Sequence, residues 1–257
     1  MSVKRWKITI EYNGTGYAGW QRQPEGIPSI QESIETAITK FCGQDIQITA
    51  AGRTDAGVHA HGQVAHFDLD YGDRALTGFD LAKAINAHLR PEPIAIITAE
   101  EVDSEFHARF DARNKLYRYR MVTRSAPPIH DSRHVWHYKY DLDIETMREG
   151  GKHLLGHHDF TSFRDAQCQA KSPMKTLDRL EISEKPYDNY GGREIIFELE
   201  GLSFLHHQCR NIVGTLKDVG KRKINPDDVK MILEAKDRTK AGMTAPAEGL
   251  SLIRVDY

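Results

Sequence analysis

Residues 51–60, "AGRTDAGVHA", place one carboxylate, Asp55, at a break between two strand-like runs, with Gly52 and Gly57 on either side. A carboxylate on a loop at a strand end can serve as a nucleophile or as a base toward a substrate held above it. The flanking glycines permit backbone paths that a Cβ resists, so the loop can turn its acid toward a cleft. The competing structural role is an Asx-turn, in which Asp55 only caps its own backbone. Residues 201–216, "GLSFLHHQCRNIVGTL", hold the second candidate, Arg210, early in a helix among Leu205, Ile212, Val213 and Leu216. A guanidinium there either snorkels to water or needs a partner, and Asp55 is the obvious one. A third stretch, residues 109–124, "RFDARNKLYRYRMVTR", interleaves Tyr117 and Tyr119 with Arg118 and Arg120. On a strand the tyrosines share one face and the arginines the other, which suits base stacking and phosphate contact as well as a half-buried strand.

The histidines offer a different chemistry. His59, His61 and His66 lie in one strand-like run, His157 and His158 precede Asp159, and His206 and His207 are adjacent. There is no HExxH and no paired CxxC, and neighbouring histidines on one element point apart, so no zinc site is expected.

The elements that must carry these residues follow from periodicity. Residues 6–11 alternate as a strand, and a helix starts at Ile30 behind Ser29, with Glu32 where a capping box wants it and Gly43 at the end. Residues 45–50 and 64–70 read as strands, 79–89 as a helix that stops before Pro91, and 94–98 as a strand. The second half repeats the order: strands at 116–122, 176–183, 194–201 and 250–255, helices at 144–155 and from about 206, and a short added helix capped by Asn225 with Pro226 at its first position. Each half is therefore a βαββαβ unit, and the fold class is α+β. The boundary is set in the charged stretch near residue 105: residues 1–105 carry the Asp55 loop, and residues 106–257 carry Tyr117 and Arg210.

With 257 residues and a net charge of −2 the chain reads as globular, with no membrane span or signal peptide expected, and its three scattered cysteines are no disulfide framework, so a cytoplasmic location is expected. A polyanionic partner would have to be met by local basic patches.

Six blocks in order, "YNGTGYAGWQRQP", "AGRTDAGVHA", "EFHARFDARNKLYRYR", "DFTSFRDAQCQAKSP", "FLHHQCRNIVGTL" and "APAEGL", resemble the tRNA pseudouridine synthase A family. The one departure is Gln208 and Cys209, where the family has larger apolar residues. The resemblance implies two tandem RRM-like (ferredoxin-like) halves joined into an extended antiparallel sheet, with helices on one side and a central cleft. It implies a homodimer acting on the anticodon stem-loop of tRNA, isomerising uridine to pseudouridine at tRNA positions 38, 39 and 40 without metal or organic cofactor. It implies Asp55 as the catalytic carboxylate, acting on C1' or on a sugar proton, Arg210 as the cation that favours its ionised form, and Tyr117 against the target base. Arg53 would stabilise the strand around an extruded nucleotide. Phe106, His107, Arg109, Phe110, Gln167, Gln169 and Lys171 would contact RNA.

Overall fold

The computed structural model describes residues 3–72 and 75–257. The chain is α+β and divides into two compact units, Met1–Arg113 with Leu252–Tyr257, and Asn114–Ser251. In the first unit the order is β1 (Val3–Tyr12), α1 (Ile30–Cys42), β2 (Thr49–Ala50), β3 (His59–Asp70), α2 (Gly78–Leu89) and β4 (Ile94–Val102). Strand β1 lies between β4 and β3 and pairs antiparallel with both. Trp6, Ile8, Ile10 and Tyr12 of β1 are all buried, as their period of two requires of a strand with one face on a core. Helix α1 begins where the Ser29 side chain accepts the Glu32 N–H and ends at Gly43 in the left-handed region, φ 75°. Its Ile30, Ile34, Ala37 and Ile38 are buried.

The second unit contains β5 (Asn114–Thr123), β6 (Trp136–Tyr138), α3 (Ile144–Lys152), β7 (Gly156–Asp159), β8 (Met174–Leu177), β9 (Arg179–Pro186), β10 (Arg193–Gly201), α4 (Gln208–Gly220) and α5 (Asp228–Ala235). Strand β10 pairs antiparallel with β5 and β9, β6 adds in parallel to β5, and β7 pairs with β8 as a separate ribbon. The final strand, β11 (Leu250–Asp256), runs into the first unit, where it lies beside β3.

Several local expectations change. The run 176–183 is two strands, because β8 pairs with β7 and β9 with β10, and Asp178 lies between them. Strands β6 and β7 add to the βαββαβ order; three or four residues carry too little alternation to be read as strands. The short helix starts at Asp228 with Asp227 at its cap, not at Pro226. Helix α4 starts at Gln208, whose side chain is 1 % exposed and whose Oε1 accepts the Leu205 N–H at 2.8 Å. Cys209 is buried beside it. No helix among the described residues is long and apolar enough to cross a membrane.

The arginines of β5 also have a structural use. Arg118 reaches Glu198 at 2.7 Å and Arg120 reaches Glu194 at 2.5 Å, both across to β10. Arg124 reaches Asp188 at 2.5 Å, and Lys217 is buried against Asp218. These groups neutralise one another and do not form a bare cationic stripe.

One close approach fixes α4. A Cβ built on Gly214 would lie 1.8 Å from the Met243 carbonyl oxygen. Gly214→Ala should therefore lower stability by about 1–3 kcal/mol through overpacking, although alanine is the better helix former by about 1 kcal/mol. Urea unfolding would show this as a lower midpoint, and a raised midpoint would refute the close approach.

Candidate active site

The Asp55 loop, residues 51–58, is built from below and from one side. Below it, the Tyr12 hydroxyl meets Thr54 Oγ1 at 2.8 Å, and Gln63 also hydrogen-bonds that hydroxyl. Gln63 Nε2 donates to the Gly52 carbonyl at 2.8 Å and its Oε1 accepts the Val64 N–H at 3.2 Å. Tyr12 and Gln63 are buried, and burial pushes the Tyr12 phenol far above its usual range, against the pull of Thr54 and Gln63. The phenol is thus a neutral hydrogen-bonding post, not an acid or base.

From the side comes the segment 13–20. The Trp20 N–H donates to the Thr54 carbonyl at 3.0 Å and the Gly57 N–H to the Tyr17 carbonyl at 3.3 Å. Gly19, at φ 100°, comes so near that a Cβ would sit 2.6 Å from the Thr54 carbonyl oxygen, and one on Gly14 would sit 2.1 Å from that of Val58. The carbonyls of Gly19 and Trp20 in turn accept the Ile30 and Gln31 N–H groups that open α1, which satisfies orphan donors of a helix start. Asp55 is half-buried at the crest, its carbonyl accepting the Val58 N–H at 3.1 Å, and Arg53 is exposed beside it. Of the two glycines that flank Asp55, Gly57 has positive φ, 78°, and Gly52 does not. The tight approaches come from Gly14 and Gly19, outside the motif itself.

The second unit carries the other candidates. Tyr117 is buried in β5, opposite Leu199, with its ring edge-on to Phe204 at 5.2 Å. Arg210 is in the first turn of α4; its Nε donates to the Ala245 carbonyl at 2.7 Å, and its own carbonyl accepts the Ala245 N–H at 3.2 Å. Residues 164–171 are tied to the start of α4 through Asp165. The Asp165 N–H donates to the His206 carbonyl at 3.0 Å, and its carboxylate accepts from the Gln167 N–H and lies 2.8 Å from His207 Nδ1. Burial would raise the Asp165 carboxyl, but these contacts bring it below the usual range. Gln167, Gln169 and Lys171 are exposed on that loop.

The remaining candidates gather in the first unit. Phe106 is partly buried against Val64, Ala51 and Ala108, and His107 stacks near Phe110 at 4.2 Å. Arg109 and Phe110 are exposed. The structure thus places Asp55 and Arg53 on one loop of the first unit, Phe106 to Phe110 on another, and Tyr117, Arg210 and Gln167 to Lys171 in the second unit. Tyr12, Thr54 and Gln63 were not singled out from sequence. The available signal was Tyr12 standing at the strand end directly before a segment with three glycines.

Taken together, these features describe an α+β protein that exposes a half-buried carboxylate on a rigid strand-end loop. Comparison with known proteins gives the class. A family model described as tRNA pseudouridine synthase matches residues 8–111 and 151–257. A protein of Paramagnetospirillum magneticum named tRNA pseudouridine synthase A is 52% identical over 255 residues, covering 99% of this chain and 96% of that protein. Proteins of the same name from Caulobacter vibrioides and Wolbachia pipientis wMel are 49% and 46% identical, over 99% and 98% of this chain and 99% and 100% of their own. The chain belongs to the tRNA pseudouridine synthase family and is an isomerase.

Tyr12→Phe and Thr54→Val each remove one end of the buried hydrogen bond under the loop. Misplacement of a reacting group is costly, so kcat for pseudouridine formation should fall roughly tenfold in each, with KM little changed. The double variant should be no worse than Tyr12→Phe alone, because that change already deletes the bond that Thr54→Val removes. Single-turnover kinetics would check this, and fully multiplicative losses would refute the shared post.

Proposed function

We propose that the chain converts uridine to pseudouridine at positions 38, 39 and 40 of the tRNA anticodon stem-loop, with Asp55 as the nucleophile. The N1–C1' bond of the target uridine breaks, uracil turns within the closed site, and C5 bonds to C1'. The C5 proton is lost and N1 gains one, so the reaction is redox-neutral and consumes no water. Asp55 attacks C1' and leaves when C5 bonds there. Arg210 supplies the positive charge that the carboxylate chemistry uses. Tyr117 abuts the uracil through its ring.

A stacked, paired base cannot be reached, so the nucleotide is extruded, and Arg53 supports the strand it leaves. Phe106, His107, Arg109, Phe110, Gln167, Gln169 and Lys171 hold the stem-loop. The working form is a homodimer in the cytoplasm. No cofactor is invoked.

The observation that carries this reading is the Asp55 loop itself: a carboxylate held half-buried by backbone contacts to residues 13–20, in a chain of this family. A loop meant only to turn the chain would not require glycines at 14 and 19 to let two backbones meet.

Asp55→Asn should abolish pseudouridine formation on a tRNA transcript and leave tRNA binding within about threefold, since it removes charge but little volume. Measurable turnover by the purified variant would refute the assignment. Deuterium at C2' of the target uridine should give no primary isotope effect; a large one would make Asp55 a sugar base instead. Tyr117→Phe should retain more activity than Tyr117→Ala, and equal losses would shift the role from the ring to the hydroxyl. Binding of tRNA should weaken steeply with salt as phosphate contacts release counterions.

A further inference from the structure

Ala108 lies in the middle of the 106–110 turn and is fully buried. Both of its backbone polar groups are taken by side chains distant in sequence. Its N–H donates to His66 Nδ1 at 3.1 Å, and its carbonyl accepts the Tyr257 hydroxyl at 2.7 Å. The clamp continues into the flanking rings. His66 meets Phe106 edge-on at 6.0 Å and His107 at 4.9 Å, Phe106 packs on Tyr257 at 5.1 Å, and Lys7 Nζ stands 5.6 Å from the Phe106 ring and 5.1 Å from that of Tyr257. Arg5 Nη1 donates to the Phe106 carbonyl at 3.0 Å. Only Arg109 and Phe110 project into solvent, Phe110 being 74% exposed.

We propose that His66 and Tyr257 are positioning residues that clamp this turn through the two backbone groups of Ala108 and so set how tightly its exposed tip, Arg109 and Phe110, holds the RNA. The proposal rests on reading residues 106–110 as an RNA contact. Its physical content is preorganisation. A turn already fixed in its bound shape loses less entropy on binding than a mobile one, and a buried backbone group left without a partner costs more than the bond itself contributes.

The clamp has a protonation requirement. His66 Nδ1 can accept an N–H only as a lone pair, so the ring must be neutral with its proton on Nε2. The ring is faced by Arg5 and Lys7 of β1, Asp68 of β3, and His107 and Asp111 of the turn. Burial first, then Arg5 and His107, holds His66 below its ordinary value, with Asp68 and Asp111 opposing. The neutral form is therefore kept at neutral pH. The clamp is intact above the ordinary histidine range and is lost as pH falls through the depressed value, when an Nδ1–H would confront the Ala108 N–H. Surface histidines act in the opposite sense, because their protonation strengthens RNA binding.

The test measures tRNA Kd, KM and kcat for the full chain carrying His66→Leu, His66→Asn, Tyr257→Phe or Arg109→Ala. His66→Leu and Tyr257→Phe should raise Kd and KM roughly three- to tenfold, the scale of one lost hydrogen bond, with kcat at saturating tRNA unchanged. His66→Asn places Oδ1 where Nδ1 was and should bind like wild type at pH 7.5. It should bind more tightly than wild type at the acid end of a pH titration, where only the histidine can lose its acceptor. Trypsin should cut after Arg109 faster in His66→Leu and Tyr257→Phe than in wild type. Unchanged Kd in both of those variants, beside a weakened Arg109→Ala, would overturn the clamp while leaving the RNA contact standing. Unchanged Kd in Arg109→Ala would remove the turn from RNA binding and overturn the inference with it, whereas Asp55→Asn tests the catalytic assignment independently.

Discussion

The contact on which the candidate site depends is between two stretches of backbone. Trp20 donates to the Thr54 carbonyl, and Gly19 lies so close to that carbonyl that any side chain would collide with it. The contact joins three things at once: the carboxylate loop, the end of β1, and the start of α1, whose first N–H groups are satisfied by the same segment. A loop held by backbone to backbone has little freedom to swing, and a reacting carboxylate benefits from that rigidity. Tyr12 and Gln63 complete the support from the core side. They are polar groups in a buried place, and their bonds to Thr54 and Gly52 hold the loop against the sheet.

Elsewhere the chain repeats one device, a side-chain acceptor that captures a backbone N–H in an irregular segment. His59 Nδ1 takes the Gly14 N–H, His66 Nδ1 that of Ala108, Gln208 Oε1 that of Leu205, and Asp165 that of Gln167. Irregular backbone has no ladder to satisfy its donors, and a buried donor without a partner is costly. The histidines that invited a metal reading are thus in part structural acceptors, fixed in one tautomer by the backbone they hold.

Charge follows a similar division. Arginines on β5 meet glutamates on β10, Arg118 directly opposite Glu198 and Arg120 diagonally to Glu194, which is how a sheet stabilises two charged faces. Being partly exposed, such pairs contribute modestly to stability, but they remove these arginines from the pool of bare cations. Among the site candidates, Arg53, Arg109 and Lys171 are exposed. A chain with a net charge of −2 must draw RNA through such local groups and not through its overall field.

Periodicity and end signals were enough to place β1, α1, α2, β10 and β11, because burial on one face writes a period of two or 3.6 directly into residue order. Ser29 and Gly43 act at the ends of α1 as their types demand. Six ordered blocks were enough to point to the family. The short strands β6 and β7 were illegible, since three or four residues carry no period. Residue order also could not show that Gly14 and Gly19, and not Gly52, make the close approaches, or that Tyr12, His66 and Tyr257 hold loops far away along the chain. Those roles exist only where folding brings together atoms separated by dozens of residues, and hydrogen-bond partnership at such separations is a property of distance in space that local sequence does not encode.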